Sequence, residues 1–238
     1  MTQTILVSEI FGPTIQGEGG LIGSPTVFVR TAGCDYRCTW CDTLYAVLPE
    51  HRTTWYRMSA DEVLDRVMSL SGQKPILVTL SGGNPALQPL DIVIDKGHGL
   101  GLTFALETQG SVVKPWFEKL DYLVVSPKPP SSGEQTDWDR LASAIARAGT
   151  TTQTTLKVVV FDDLDYAYAR QVMLKHPDVD LILQVGNPQP PHLSDEIDID
   201  GLLRRYEWLA NKVASDGWYR VRVLPQLHTL VWGNTRGV

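Results

Sequence analysis

The chain has 238 residues, 43% hydrophobic and 20% charged, a composition typical of a soluble globular protein. Its net charge of −6 excludes a nonspecific nucleic-acid coat, because phosphate binding needs clustered basic residues and the Lys and Arg residues here are scattered. No apolar run reaches the roughly 18 residues of a membrane helix, and the N-terminus lacks the pattern of a secretion signal. We therefore expect a cytoplasmic protein with no nucleic-acid and no membrane partner.

Short apolar runs rich in β-branched residues predict seven strands, at 26–31, 76–80, 103–107, 122–125, 156–161, 181–185 and 219–224. Helical periodicity lies between them, at 59–70, 137–148, 164–175 and 201–215. Ser59 followed by Glu62 forms a capping box that marks the start of the first helix. Strands alternating with helices predict a parallel sheet with helices on its outer face.

Two segments break this alternation. Residues 108–121 leave little room for a full crossover helix, and the loop SPKPPSSGEQ follows the strand at 122–125. We therefore expect an α/β fold of partial (β/α) barrel type, reduced in part of its circumference, with its site at the carboxyl ends of the strands. No repeat or linker interrupts the pattern, so we expect a single domain over residues 1–238.

All three cysteines of the chain, Cys34, Cys38 and Cys41, lie in the stretch GCDYRCTWCDT. An odd, clustered set is no disulfide framework, and clustered thiols in a reducing compartment usually bind metal. Structural zinc takes four protein ligands, and His51 lies outside the usual short zinc spacings. Three thiolates on a four-iron cluster would leave one iron open to a small molecule. A three-ligand zinc site and unligated thiols are the alternatives.

The spacing C-x3-C-x-aromatic-C, directly after a predicted strand and with Trp40 as the aromatic residue, resembles the radical S-adenosylmethionine (SAM) superfamily. That resemblance implies a [4Fe–4S] cluster whose open iron binds SAM and cleaves it to a 5′-deoxyadenosyl radical. The stretch LSGGNP matches the superfamily's GGEP stretch, which pairs with the methionyl amino group. Asn84 replaces the usual Glu there, so a carboxylate contact becomes a neutral amide contact.

A narrower resemblance comes from EIFGPTIQGEG, CDT, ETQGS, SPKPP and the C-terminal LPQLHTLVWGNTRGV, which together resemble the 7-carboxy-7-deazaguanine synthases. It implies conversion of 6-carboxy-5,6,7,8-tetrahydropterin to 7-carboxy-7-deazaguanine, by hydrogen abstraction, ring contraction and loss of ammonia, in queuosine-type deazapurine biosynthesis. It also implies Mg²⁺ as a cofactor, a homodimer and an external electron donor. A radical SAM activase acting on a protein partner is the alternative; its family shares the TIQGEG turn but lacks SPKPP.

The resemblance also assigns residues to each part of the site. The cluster ligands are Cys34, Cys38 and Cys41, and Thr43 is the magnesium ligand unless its hydroxyl only caps the loop. The cofactor contacts are Trp40, Cys41, Asp42, Gly83, Glu107, Ser126, Pro127 and Lys128. The substrate contacts are Ile15, Gln16, Gly17, Arg30 and Ser81.

Arg30 lies inside an apolar strand, where an arginine is seldom left unpaired. Its guanidinium suits a bidentate pair with the substrate carboxylate. Pairing with Glu9, Glu18 or Glu107 is the alternative, and Glu107 would then orient Arg30 rather than hold the SAM ribose. In the C-terminal tail, we expect His228 and Trp232 to cover the substrate and the terminal carboxylate of Val238 to reach the metal site; packing of the tail against the barrel is the alternative.

Overall fold

The computed structural model describes residues 3–191, 193 and 197–238, and these form one nine-stranded sheet. The strand order across the sheet is β3-β1-β2-β4-β5-β6-β7-β8-β9. The strands are β1 Ile5–Ile15, β2 Pro25–Thr31, β3 Tyr56–Met58, β4 Leu77–Gly82, β5 Thr103–Thr108, β6 Tyr122–Val125, β7 Gln153–Val160, β8 Asp180–Val185 and β9 Val221–Leu224.

Strands β2 and β4 to β9 run parallel to one another. Strand β1 pairs with β2 in the antiparallel sense, and β3 pairs with β1 in the antiparallel sense. The sheet is open between β9 and β3, so the expected partial barrel is confirmed. The seven predicted strands are all present, but the sequence analysis missed β1 and β3. Gly12 and Pro13 interrupt the apolar pattern of β1, and β3 has only three residues.

The helices are α1 Leu44–Val47, α2 Ala60–Leu70, α3 Asp91–Gly99, α4 Trp138–Ala148, α5 Asp163–Lys175, α6 Ile199–Ser215 and α7 Leu227–Trp232. The four predicted helices are α2, α4, α5 and α6. The capping box is also confirmed: the backbone N of Glu62 donates to Ser59 Oγ at 3.3 Å, and that of Ser59 donates to Glu62 Oε2 at 2.7 Å. The sequence analysis missed α3, in which Gly97 and Gly99 weaken the helical signal.

The crossover between β5 and β6 has no α-helix, as expected. A single 3₁₀ segment, Pro115–Lys119, lies there and packs against α3 and α4. Its Trp116 and Phe117 side chains are buried in the hydrophobic core, so this crossover contributes to the core without an α-helix.

The core lies between the sheet and the helices outside it. Strand residues such as Leu80, Leu106 and Leu156 are fully buried, and Ile94 and Leu141 are buried from the helix side. Each such side chain contributes about 1.5–3 kcal/mol relative to an exposed one. Among the described residues, no helix has both the length and the apolar composition that a membrane crossing needs.

Helix α3 offers a matched pair of glycines that tests this packing. A Cβ at Gly97 would lie 2.3 Å from Cζ of the buried Phe104, whereas one at Gly99 would meet nothing within 4 Å. Gly97→Ala should therefore lower the free energy of unfolding by about 1–3 kcal/mol. Gly99→Ala should leave it unchanged or raise it by up to about 1 kcal/mol. Urea unfolding followed by circular dichroism measures both, and equal stabilities would contradict the close packing of α3 on β5.

Candidate active site

A cavity of about 390 Å³ opens at the carboxyl ends of the parallel strands. Arg30 lines it from β2, Ser81 from β4, Glu107 from β5 and Lys157 from β7. The loop after β2 and the C-terminal segment complete the wall. Since parallel strands bring the residues at their carboxyl ends together, this one cavity collects side chains from distant parts of the chain.

All three cysteines line this cavity. The backbone N of Tyr36 donates to Cys34 Sγ at 3.4 Å, and Thr43 Oγ1 lies 3.7 Å from Cys41 Sγ. Burial raises the pKa of each thiol, and that of Cys38 to about 11. The free thiols therefore keep their protons at neutral pH, and a metal cation would have to displace those protons in order to bind the sulfurs.

The arrangement of donors fits a cluster better than a single ion. In the described part of the chain, no three His, Cys, Asp or Glu side chains lie close enough together to hold one metal ion. Tetrahedral zinc at 2.3 Å from each thiolate would bring the sulfurs to about 3.8 Å from one another. A four-iron cluster binds each cysteine to a different iron and so accepts wider spacing. His51 does not line the cavity.

Two glycines hold the cysteine loop against the loop after β4. A Cβ at Gly83 would lie 2.1 Å from the carbonyl oxygen of Gly33 and 3.0 Å from Cβ of Cys34. Gly82 has a φ of +131°, and a Cβ there would lie 2.1 Å from the carbonyl oxygen of Thr31. Only glycine permits this approach. The GG pair therefore positions the cysteine loop, whatever contact Gly83 makes with a ligand.

Asn84, which stands where the superfamily has Glu, is fully buried and does not line the cavity. Its Nδ2 donates to Asp35 Oδ1 at 2.8 Å and to Ser111 Oγ at 3.2 Å. Its Oδ1 accepts from Thr108 Oγ1 at 2.9 Å and from the backbone N of Ala86 at 3.2 Å. An ionised glutamate could not donate to Asp35, so the amide here serves the cysteine loop.

Arg30 lines the cavity and pairs with Glu9, one of the partners considered from sequence. Its Nε donates to Glu9 Oε1 at 2.8 Å. In the described part of the chain, no hydrogen bond uses its two terminal nitrogens. Glu18 and Glu107 pair with Lys157 instead. The ion pair with Glu9 therefore orients Arg30 without using the nitrogens that a bidentate carboxylate pair requires.

Lys157, in the middle of β7, is a site residue that the sequence analysis missed. Its Nζ forms an ion pair with Glu18 and lies 3.6 Å from Glu107 Oε1. Burial opposes both charges, yet the charge of Lys157 keeps the pKa of Glu18 far below its usual value, and the pKa of Lys157 is raised. The signal was available: a lysine inside the apolar run TLKVVVF needs a partner as much as Arg30 does.

Ile15 at the end of β1, and Gln16 and Gly17 in the turn that follows it, lie behind the cavity wall rather than in it. Gln16 Nε2 donates to Glu107 Oε1 at 3.5 Å. A Cβ at Gly17 would lie 2.3 Å from His228 Nδ1, and the carbonyl of Gly17 accepts from the backbone N of Leu227 at 2.9 Å. The turn therefore docks α7 and supports Glu107.

The expected cofactor contacts near the cysteine loop mostly face the cavity, namely Trp40, Cys41, Asp42, Gly83, Glu107, Ser126 and Lys128. Lys128 Nζ donates to Ser126 Oγ at 3.2 Å and lies 5.6 Å from the centroid of the Trp40 ring. Pro127 is buried and does not line the cavity. Its place in the loop sets the direction of its two neighbours.

Two hydroxyl groups are available to ligands. Ser81 Oγ is buried in the cavity wall and has no hydrogen-bond partner among the described residues. Such a group is costly to bury unless something binds it. Thr43 precedes α1, but its side chain makes no capping hydrogen bond. Its hydroxyl lies near Cys41 Sγ of the same loop instead, so the magnesium role and the loop role of Thr43 both stay predictions.

The C-terminal segment forms one side of the cavity. His228 and the terminal Val238 line it, whereas Trp232 does not. Gln226 Nε2 donates to Glu18 Oε1 at 2.7 Å and thereby ties the start of α7 to the Lys157 ion pairs. The tail thus covers the cavity through some of its residues and packs on the barrel through others.

Comparison with known proteins gives consistent matches. The family model of the Radical SAM superfamily matches residues 28–157. The 7-carboxy-7-deazaguanine synthase of Bacillus cereus is 44% identical over 237 residues, which cover 98% of this chain and 99% of the relative. The protein of the same name from Bacillus subtilis is 44% identical over 243 residues, covering 100% of both chains.

The solved structure of QueE from Escherichia coli matches with a TM-score of 0.69 at 22% identity, covering 94% of this chain and 95% of that one. At this identity the likeness shows a shared fold. The sequence matches go further, because they extend over essentially the whole of both chains. The chain therefore belongs to the 7-carboxy-7-deazaguanine synthase family of the radical SAM superfamily.

Proposed function

We propose that the cavity is the active site of a synthase that converts 6-carboxy-5,6,7,8-tetrahydropterin to 7-carboxy-7-deazaguanine. The observation that carries the proposal is that Cys34, Cys38, Cys41, Thr43 and Arg30 all line one cavity. A three-thiol cluster site, an oxygen ligand and a guanidinium would then lie within reach of one ligand-sized space, which supports the proposal. The family to which the chain belongs supplies the reaction class.

The thiols of the cysteine loop would hold the [4Fe–4S] cluster, and Thr43 would contribute one oxygen ligand to Mg²⁺, which prefers oxygen ligands and keeps several waters or substrate oxygens. When bound, the cluster and SAM supply the hydrogen-atom abstraction that begins ring contraction and loss of ammonia. Ser81, Ser126 and Lys128 offer polar groups to the cofactor or substrate from the wall opposite the tail.

The side chains of the cavity would bind the substrate and orient it. Arg30, held at its inner nitrogen by Glu9, would present its two terminal nitrogens to the substrate carboxylate. Glu18 and Glu107 pair with Lys157 and would offer acceptor oxygens to the N–H groups of a pterin. Ile15, Gln16 and Gly17 would act through these neighbours, because they lie behind the wall.

The proposal includes a homodimer in the cytoplasm that receives its electron from an external donor; the family resemblance supports each of these. A protein-activating role has no comparable support, since the whole-length relatives are synthases. The test is anaerobic incubation of the reconstituted protein with SAM, a reductant, Mg²⁺ and carboxytetrahydropterin, followed by mass spectrometry. Formation of the deazaguanine without a partner protein supports the proposal, and its absence with an intact cluster contradicts it.

Replacing any one of Cys34, Cys38 or Cys41 with Ala should abolish both the four-iron absorption and SAM cleavage, because two thiolates do not hold the cluster. The check is visible absorption after anaerobic reconstitution, together with detection of 5′-deoxyadenosine. Thr39→Ala is the control, since it lies in the same loop and its hydroxyl donates only to the Ser131 carbonyl at 2.7 Å. A normal cluster in any single cysteine variant would remove that residue from the ligand set.

Thr43→Val should raise the Mg²⁺ concentration needed for turnover and weaken substrate binding, while the cluster remains. The change removes the hydroxyl oxygen and keeps the shape of the side chain. Titration of activity with Mg²⁺ measures the effect. Thr54→Val, whose hydroxyl donates to the His51 carbonyl outside the cavity, should behave like the parent. Identical titrations for both variants would mean that Thr43 does not ligate magnesium.

Arg30→Ala should weaken substrate binding by roughly tenfold or more, because a charged hydrogen bond contributes about 1.5–3 kcal/mol and each 1.4 kcal/mol is a factor of ten. Arg30→Lys should recover only part of the loss, since it keeps the charge but not the bidentate geometry. Cluster absorption and SAM binding should be unchanged in both.

The control for Arg30 is Arg57→Ala, an exposed arginine on β3 that does not line the cavity. Substrate affinity is measured by equilibrium binding to the reconstituted protein. An affinity within twofold of the parent in Arg30→Ala would show that Arg30 acts only as the ion-pair partner of Glu9.

A further inference from the structure

Glu9 of β1 contacts three side chains from three parts of the chain. Its Oε1 accepts from Arg30 Nε at 2.8 Å and from the hydroxyl of Tyr45 at 2.9 Å. Its Oε2 accepts from Arg236 Nε at 2.8 Å. All three line the cavity: Arg30 from β2, Tyr45 from α1 directly after the cysteine loop, and Arg236 from the last three residues of the chain. One carboxylate thus joins the wall, the loop and the tail.

The Glu9 carboxylate can join these three parts because it is mostly buried, with 16% of its side chain exposed, and stays ionised. Burial alone would raise its pKa, but Arg30 and the hydrogen bonds from Arg236 and Tyr45 hold the pKa below its usual value. Glu9 therefore carries its full charge at neutral pH, with one oxygen toward Arg30 and the other toward the tail.

Arg236 holds the tail at a defined place. Its guanidinium lies 3.8 Å from the centroid of the Tyr45 ring, which adds a cation–π contact to the ion pair with Glu9. Residues 233–238 all line the cavity. Further back in the tail, Asn234 Nδ2 donates to the carbonyl of Gln189 at 3.0 Å. The described contacts thus hold residues 233–238, called here the C-terminal strap, along one side of the cavity.

We infer that Glu9 is a positioning residue that couples closure of the C-terminal strap to the orientation of Arg30, with Arg236 as its partner on the strap. When the strap is in place, Arg236 takes one oxygen of Glu9 and leaves the other to Arg30 Nε, so the terminal nitrogens of Arg30 point toward the anionic group of the substrate. When the strap is released, Glu9 is free to rotate and Arg30 loses its fixed orientation. The inference rests on the proposed function, because the anion that Arg30 receives is taken to be the substrate carboxylate.

The test uses Glu9→Gln, Arg236→Met and the double variant in the full-length, reconstituted protein. Each single variant should raise the KM for carboxytetrahydropterin by roughly tenfold, the value of one charged hydrogen bond, and change kcat by less than about threefold, because no reacting group is lost. The KM of the double variant should be no higher than that of the poorer single variant, since each substitution breaks the same Glu9–Arg236 ion pair. Arg236→Lys should recover part of the KM, because it keeps the charge but not the planar contact with Tyr45.

A second readout is the hydrogen–deuterium exchange of the peptide that contains residues 233–238. Exchange there should rise in Arg236→Met and in Glu9→Gln, while cluster absorption and SAM binding stay at the parent level. Arg204→Met is the control, because the ion pair that Arg204 forms among the described residues is an exposed one, with Asp198 at 3.6 Å, and Arg204 does not line the cavity. It should change neither KM nor exchange.

The outcomes separate this inference from the proposed function. No product from the parent protein would overturn both. If the parent forms product and the fold increases in KM of the two single variants multiply in the double variant, the coupling is overturned and the proposed function stands. Unchanged exchange of the strap in Arg236→Met would also overturn the coupling. If Glu9→Gln does not fold, Arg236→Met at its half-exposed position still decides the question.

Discussion

The ammonium group of Lys157 is enclosed in the barrel, with only 7% of its side chain exposed, and much of the site is arranged to neutralise it. Glu18 from the loop after β1 and Glu107 from the end of β5 supply the opposing charges. Removing one partner of a buried pair leaves a stranded charge, at a cost of about 3–5 kcal/mol. Gln16 donates to Glu107, and Gln226 donates to Glu18. The neutralisation of Lys157 therefore ties β1, β5, β7 and α7 together.

A second cation that lines the cavity, Arg30, is compensated differently. Lys157 has two carboxylates in reach, whereas Arg30 has an ion pair with Glu9 alone among the described residues and forms it through Nε. Glu9 is itself shared with Arg236. Unlike Lys157, Arg30 therefore keeps the capacity to take an anion from solution. This difference in pairing supports the proposal that Arg30 binds the substrate carboxylate and that Lys157 has a supporting role.

The cysteine loop is placed mainly by backbone and amide contacts. Gly82 and Gly83 bring the loop after β4 against Thr31 and Gly33, at distances that no side chain would permit. Asn84 then fastens Asp35 of the cysteine loop to the end of β5 through hydrogen bonds. The thiols can face a common cavity because these contacts fix the path of the loop before any metal is bound.

Local patterns in the sequence were enough to predict the parallel strands, four of the helices and the cluster motif. The run TLKVVVF and the capping box at Ser59 carry their signal within a few residues, where periodicity and capping chemistry act. Helix α3 and strand β1 were missed because Gly97 and Gly99 in the one, and Gly12 and Pro13 in the other, weaken that local signal. Tertiary packing overrides such propensities.

What the sequence by itself determined is the chemistry available: three thiols at cluster spacing, a guanidinium and an ammonium inside apolar strands, and a loop at a strand's carboxyl end. What only the tertiary structure decided is which groups meet. Glu9 and Arg236 are 227 positions apart, and Glu18 and Lys157 are 139 positions apart. No periodicity reaches across such separations, because a contact between them exists only once the sheet has curved and brought the two ends of the chain to the same cavity.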